Sequence, residues 1–521
     1  MHQKWLVGTA MMALLLGACG TRATDDRFDA MLHGESPGDP GPGEMVAGVD
    51  PVTSTSPDPG SQHDEASAPV ATSPDSGDDG GRAVDGAARE TGPTPSEQAD
   101  GSERPAQDGE GGASDAGTSV EDNTASDIGV TESSIKVGNI VSISGPLGEN
   151  AFGPSFFGAN AYFTYLNQAK GGIHGRSVEF LTCDDAEDAS RNLRCAQDLV
   201  ESQEVFAFVS NNTRAYAAAE YVSDRGVPDI MGQPIGDEYL TYPTLYSILG
   251  SNYERDGVVG DDGQLYAGAL AARFVREHFG GDTAAVFFFD IPISKTAGQA
   301  QAEGLRTQGY EVLEFEINPV VQNFEARVEQ MRQAGVQVIS DTIDINANRN
   351  LCRAMDNNDF HVLAKITTVQ GIAREAADYS HPCRESLVGM TKAVPYTETS
   401  HEEVALFHDV MDRMYGGEFA TTMHQWHWEG WLAARSFAQA MEEMGPAPTR
   451  EGLMAHYEAQ RDYTLGGLSA PIDWQPLPFG ERDEFEDCLH FVQWNEGQGD
   501  FERIGPAPFC ASVPFVPQAS T

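Results

Sequence analysis

The stretch IKVGNIVSISGPLGENAFG, Ile135 to Gly153, decides how the rest of the chain is read. It alternates apolar residues as a strand does, breaks at Ser144-Gly145-Pro146 and resumes as a helix-like segment. A strand that runs through a glycine-containing turn into a helix leaves free backbone N–H groups at the helix start, which suit an anion or a polar ligand. Dinucleotide enzymes and small-molecule binding lobes share this geometry, so the choice between them depends on the rest of the sequence.

Downstream, the short apolar runs VEFLTC, VFAFVS, AAVFFFD, VQVIS and AKITTV alternate with helix-like stretches such as ASRNLRCAQDLVESQ, AYAAAEYVSDRG, AGQAQAEGLRTQG and FEARVEQMRQAG. Buried strands alternating with helices mean an α/β fold with parallel sheets flanked by helices. In such sheets ligands bind beyond the carboxyl ends of the strands. About 390 residues take part, more than one hydrophobic core usually accommodates, so two lobes are expected.

The opening residues, MHQKWLVGTAMMALLLGACG, combine Lys4, an apolar run from Trp5 to Leu16, and Leu16-Gly17-Ala18-Cys19. This reads as a signal peptide over residues 1–18, too short for a permanent membrane helix. Its ending resembles a bacterial lipobox, with Cys19 lipidated as the new N-terminus. Everything after Cys19 is then expected at the cell membrane, lipid-anchored on the extracytoplasmic face. Residues 19–130 are rich in Gly, Pro, Ser, Thr, Ala and acids, cannot bury enough apolar surface to offset chain entropy, and read as a disordered tether. A coil of this length reaches about 60 Å.

Acids outnumber bases 80 to 32, and the folded part shares the excess. That balance argues against nucleic acid and anionic lipid as partners, because both need basic patches. Beyond Cys19 the cysteines are Cys183, Cys195, Cys352, Cys383, Cys488 and Cys510. An even set in an exported chain implies disulfides, most simply between sequence neighbours: Cys183 with Cys195, Cys352 with Cys383, and Cys488 with Cys510. No pair has the spacing of a zinc knuckle, and no metal is expected. The sequence also contains no G-x-S-x-G elbow, no H-E-x-x-H and no Walker A loop. His424, His427 and Glu429 in HQWHWEG suggest a metal cluster only superficially. Glu429 lies off the helix face of the two histidines, and a buried, aromatic-rich helix start fits better. No enzyme and no cofactor are expected.

The segment IKVGNIVSISGPLG, followed by FFGANAYFTYLNQAKGGIHGRSVEFLTCDDAEDASRNLRCAQDLV, resembles the opening of the leucine/isoleucine/valine-binding family of solute receptors, the type I periplasmic binding proteins of ABC importers. The shared features are the S-G-P turn, G-A at the first helix, N-x-x-G-G-I-x-G and the D-D after the second strand. The resemblance continues through VFAFVSNN, GVPDIM and FVQWNEGQGDFERI, and covers about Thr131 to Ile504. It implies two Rossmann-like lobes joined by three crossovers, with the ligand between them. Lobe one would comprise residues 131–255 and 395–465, and lobe two residues 256–394 and 466–521.

The resemblance also places ligand-binding residues. Ser210, Asn211 and Thr213 follow a strand where the family grips a ligand carboxylate, and helix-start N–H groups beside hydroxyls suit an anion independently. Ile235 and Gly236 match a further carboxylate-contacting loop, with Gly236 standing where the family has a threonine. Phe152 and Trp426 lie near aromatic walls, whereas Trp428 and Trp431 read as core. Ser144 would face the cleft from the opening turn, and Asp290, Ser294 and Asp344 from the rim of lobe two. Gln370 matches a glutamate that neutralises an amino acid's ammonium. An amide there removes the charge, so Asp341, Asp344 or Asp237 substitutes, or the ligand is not a free α-amino acid.

The implied protein is a monomeric, lipid-anchored solute-binding protein. It delivers an amino acid, amide or organic acid to an ABC permease. The alternatives are a sensor module with the same fold and, further off, an exported hydrolase. Replacement of Cys19 (Cys19→Ser) is expected to release the protein from the membrane without altering ligand binding. Fractionation of palmitate-labelled cells checks this, and a variant that stays membrane-bound refutes the lipobox.

Overall fold

The computed structural model describes residues 123–251, 255–257, 266–474 and 484–517. The expected signal peptide, the expected lipidation site Cys19 and the expected tether up to residue 122 lie outside them. The first sheet contains β1 (Ser134–Val141), β2 (Ser177–Asp184), β3 (Ala207–Val209), β4 (Asp229–Gly232) and β5 (Leu245–Ser247). They pair in the order β2-β1-β3-β4-β5, all parallel. Helices α1 (Pro154–Ala169), α2 (Ala189–Gln197) and α3 (Ala219–Asp224) make the crossovers between them.

The second sheet is built from β6 (Tyr266–Gly268), β7 (Thr283–Phe289), β8 (Glu311–Ile317), β9 (Val338–Thr342), β10 (Ala364–Thr367), β11 (Leu387–Thr391), β12 (Glu484–Asn495) and β13 (Asp500–Pro517). Its order is β6-β13-β12-β11-β10-β9-β7-β8. Strands β11, β10, β9, β7 and β8 are parallel, joined through α4 (Leu270–His278), α5 (Pro292–Thr307), α6 (Phe324–Ala334) and α7 (Ile345–Asn357) in the intervening chain. The run TAAVFFF is buried at all but its first residue, as a central parallel strand must be. The expected α/β fold with parallel sheets is present, and this layer adds strands of the opposite direction at one edge. β12, β13 and β6 extend it antiparallel, and the four-residue turn between β12 and β13 makes that pair a hairpin.

The chain leaves the first sheet after β5 and builds β6 to β11 in the second. It then returns with α8 (Glu402–Tyr415), α9 (Gln425–Met444) and α10 (Arg450–Ala459), and ends in β12 and β13. The expected disulfides are all present. Cys183–Cys195 ties the end of β2 to α2, and Cys352–Cys383 ties α7 to the segment before β11. Cys488 and Cys510 sit directly opposite across β12 and β13, with Cα atoms 4.1 Å apart.

Residues 123–130, which the sequence assigns to the tether, are fastened to the folded part. The Asn123 amide donates to the His174 carbonyl at 2.8 Å, Arg450 N donates to the Asp127 carboxylate at 2.7 Å, and Val130 is buried. These polar residues resemble tether composition, but each meets a backbone group that would otherwise lack a partner.

Helices α1 and α9 pack at a very close approach. A Cβ on Gly158 would lie 1.7 Å from the His427 carbonyl oxygen, and one on Gly430 would lie 1.9 Å from that of Ser155. Glycine is required at both places for lack of room, since neither has a left-handed backbone. Below this crossing the helices bury Trp431 and Phe437 against Tyr162, Phe163 and Tyr165. Gly430→Ala is expected to cost about 3 kcal/mol in urea denaturation, near the upper end for overpacking. Gly417→Ala, which meets nothing within 4 Å, serves as the control. Equal midpoints for the two variants would show that the helices are not so close.

Candidate functional site

The opening turn holds carboxylates from its own chain. Ile143 N and Ser144 N donate to Asp184 Oδ1 at 2.9 and 3.2 Å, and the Ser144 hydroxyl donates to Asp184 Oδ2. Leu147 N donates to Glu187 Oε1 at 2.7 Å. Burial opposes the charge on Asp184, but the Ser144 hydroxyl and the N–H groups of Ile143, Ala186 and Ser144 outweigh it and hold the carboxyl below its usual range. Ser144 is exposed, and its hydrogen bonds are spent on Asp184.

Beyond β3 the chain turns sharply, with Ser210 in the left-handed region at φ 59°. Asn139 Nδ2 donates to the Ser210 carbonyl at 2.8 Å, and Ile140 N donates to Asn211 Oδ1 at 2.6 Å. The Asn211 amide in turn donates to Tyr216 Oη at 2.9 Å and Asp229 Oδ2 at 2.8 Å. A small pocket opens beside this network at the carboxyl ends of β3 and β4. Asn211, Thr213, Ile235 and Gly236 line it, so four of the expected residues converge here. Gln233, Glu238, Tyr216 and Tyr239 complete the lining and were not singled out from sequence.

A second patch joins the two layers. Phe152, which precedes α1, stacks on Trp426 of α9 with ring centroids 6.3 Å apart and planes 20° apart. Ala151, Ile235 and Val369 pack around the pair. From the turn after β10, Gln370 Nε2 donates to the Ala151 carbonyl at 2.9 Å, and Asn150 Nδ2 donates to Glu375 Oε1 at 2.7 Å. Phe152, Ile235, Gln370 and Trp426 therefore meet where the first layer touches the second. Ile235 belongs to both the patch and the pocket.

The residues expected on the rim of lobe two are engaged elsewhere. The Ser294 hydroxyl accepts Phe289 N and donates to the Thr342 carbonyl, each at 2.8 Å, and so fastens α5 to β7 and β9. Asp344 caps α7 through Ala347 N at 2.8 Å. Asp290 is exposed beside Glu316. Asp341 forms a fully buried ion pair with Lys365 at 2.5 Å and accepts Asn348 Nδ2 at 2.9 Å. Asp237 sits at the start of a one-turn helix without making a capping bond. His424 and His427 cap α9: His424 Nδ1 accepts Trp426 N at 3.0 Å, and His427 Nδ1 accepts His424 N at 3.1 Å. Both rings are thus used in holding the helix start that carries Trp426.

Two α/β layers whose strand ends meet around a shared apolar and polar patch define a two-lobed binding protein. A family model described as periplasmic binding protein matches residues 134–499, well over half of the chain. The chain belongs to the periplasmic binding protein family, whose members are extracytoplasmic solute-binding proteins. Among solved structures it is similar to a fatty acid ABC transporter substrate-binding protein from Thermomonospora curvata, at 14% identity and TM-score 0.57, covering 73% of this chain and 94% of that one. It is also similar to a leucine binding protein from Thermotoga maritima, at 15% identity and TM-score 0.55, covering 73% and 99%. A third is a solute binding protein from Rhodopseudomonas palustris in complex with 3,4-dihydroxy benzoic acid, at 14% identity and TM-score 0.54, covering 74% and 99%. At these identities the likeness is one of fold. No curated protein matches the chain by sequence.

Glu429 of α9 lies buried between the layers. Its carboxylate accepts Gln233 Nε2 at 2.9 Å from the end of β4 and Thr391 Oγ1 at 2.8 Å from β11. Burial raises its carboxyl to about 7, against the lowering effect of the hydrogen bonds from Gln233, Thr391 and Gln425. A carboxyl group that titrates higher when folded holds its proton after the unfolded chain has released its own. Stability contributed by Glu429 is therefore present at low pH and is lost as pH rises from about 4.5 to about 7. Glu429→Gln is expected to remove up to about 3 kcal/mol of this decline. Urea denaturation of both proteins at pH 5 and pH 8 tests the point, and an undiminished decline in the variant would exclude Glu429 as the titrating group.

Proposed function

We propose that the protein is a lipid-anchored, extracytoplasmic binding protein that captures a small polar organic molecule between its lobes and delivers it to an ABC permease. The observation that carries this reading is the Gln370 to Ala151 hydrogen bond beside the Phe152–Trp426 stack. Here the two layers meet through replaceable side-chain contacts rather than through a continuous sheet. A ligand seated at this place touches both layers and shifts the balance between open and closed arrangements by its differential affinity for them. Covalent chemistry has no part in such a cycle. The aromatic pair supplies apolar surface, and the adjoining pocket supplies polar groups that fix orientation.

The test is thermal stability of the full-length protein against a panel of amino acids, amides and organic acids, followed by calorimetry on any hit. A ligand at a hundred times its dissociation constant adds about 2.7 kcal/mol. Trp426→Ala is expected to weaken the hit at least about tenfold, roughly 1.4 kcal/mol. The loaded protein should also stimulate ATP hydrolysis by its permease. A hit unaffected by both Trp426→Ala and Gln370→Ala would move the binding site away from the interlobe patch.

A further inference from the structure

We propose that the two layers share a non-covalent joint besides the crossings of the chain between them: a backbone bridge between Ala373, which follows β10, and His424, which precedes α9. The bridge stays formed while the patch beside it opens, and so serves as a pivot. This rests on the reading that the layers move about a ligand site, and it adds what they move upon.

Both hydrogen bonds of the bridge are main-chain. Arg374 N donates to the Met423 carbonyl and Gln425 N to the Ile372 carbonyl, each at 2.9 Å. Ile372, Ala373, Met423, His424 and Gln425 are all buried. Each side is anchored in its own layer. A Cβ on Gly389 of β11 would lie 2.4 Å from Ile372 Cγ1, so Ile372 is keyed into the second sheet. His424 belongs to the cap of α9, which packs on α1 of the first layer. Buried backbone groups that part from each other need other partners, and this place is closed to water.

The bridge also lies beside the crossings. Two of them run antiparallel, with Val394 N donating to the Leu468 carbonyl and Ala470 N to the Lys392 carbonyl, each at 2.8 Å. Gln425 reaches from the bridge to this ribbon: its Oε1 accepts Tyr396 N at 2.9 Å, and its Nε2 donates to the Val394 carbonyl at 3.2 Å. Asp500 at the start of β13 accepts Arg374 Nε at 2.8 Å and the Tyr396 hydroxyl at 2.6 Å, which ties the two again. When one layer turns against the other, a point moves in proportion to its distance from the axis. An axis through the crossings therefore displaces the bridge little. The bonds from Gln370 to Ala151 and from Asn150 to Glu375 are made by side chains, which swing apart without stranding buried backbone. The patch opens and the bridge holds.

The experiment uses the full-length protein without added compounds and reads two quantities. Spin labels on Glu220→Cys in α3 and Gln330→Cys in α6 report the distance between the layers, and residue-resolved hydrogen exchange reports the bridge. The distances are expected to be broadly distributed. The Arg374 and Gln425 amides should nevertheless be protected to within about tenfold of Ile366 in the core of β10. Arg374→Pro removes one donor at the first position of a short helix, after the extended residue Ala373, where proline fits. It should lower protection of the Gln425 amide at least about a hundredfold. Arg374→Ala loses the same contact with Asp500 but keeps the N–H, and should lower it by less than about tenfold. The pivot is overturned if the two wild-type amides exchange at least about a hundredfold faster than Ile366, or if the proline and alanine variants behave alike. The wild-type comparison decides alone should Arg374→Pro fail to fold. Fast exchange with broad distances sinks the pivot only. A single narrow distance that no amino acid, amide or organic acid of the panel alters sinks the pivot and the moving-lobe reading together.

Discussion

The close crossing of α1 and α9 fixes the arrangement on which the site depends. Gly158 and Gly430 let each helix press its backbone onto the other, within the first turns of both. Because the contact is backbone to backbone, it leaves no side chain whose rotamer could absorb a shift. Phe152 lies just before one helix and Trp426 at the start of the other, so their stacking follows from the crossing. The two histidine caps hold the start of α9 in register with it. A site at two helix starts inherits the rigidity of the helices themselves.

The second organising feature is how this acidic chain treats the carboxylates it buries. Asp185 draws hydrogen bonds from Ser142 and Asn192, Asp229 from Asn211 and Tyr239, and Glu429 from Gln233 and Thr391. Asp341 alone among the four meets a lysine. An unpaired buried charge is costly unless neighbouring dipoles turn towards it, and here they do. The dipoles so committed determine which polar faces remain for anything outside.

The sequence made the architecture legible because apolar runs of strand length alternate with helical stretches through both layers. AAVFFFD became β7, and the neighbouring cysteines joined as spacing suggested. The antiparallel extension was less visible, since β12 and β13 read as ordinary alternating strands and only the shortness of their turn dictates direction. Phe152, Trp426 and Gln370 came from the resemblance to the solute-receptor family rather than from any local pattern, and the fold brings them together. Glu238 came from neither, although it lies two residues beyond Gly236. Its position depends on a missing Cβ in folded space, which no local pattern encodes. The opening turn gave the right chemistry with another occupant: its donors do hold anions, and those anions are Asp184 and Glu187.

The fastening of residues 123–130 has a mechanical meaning. Arg176 donates to the carbonyls of Thr124 and Pro446, Ser126 to that of Pro448, and Asp127 accepts the N–H of Arg450. These fastenings lie at the amino ends of the first sheet's strands, opposite the edge that bears the pocket. A pull applied at Asn123 would therefore load α9, α10 and the base of the first sheet in shear, spread over several bonds. None of these bonds involves the second layer or the patch between the layers, so such a load would fall on the first layer alone.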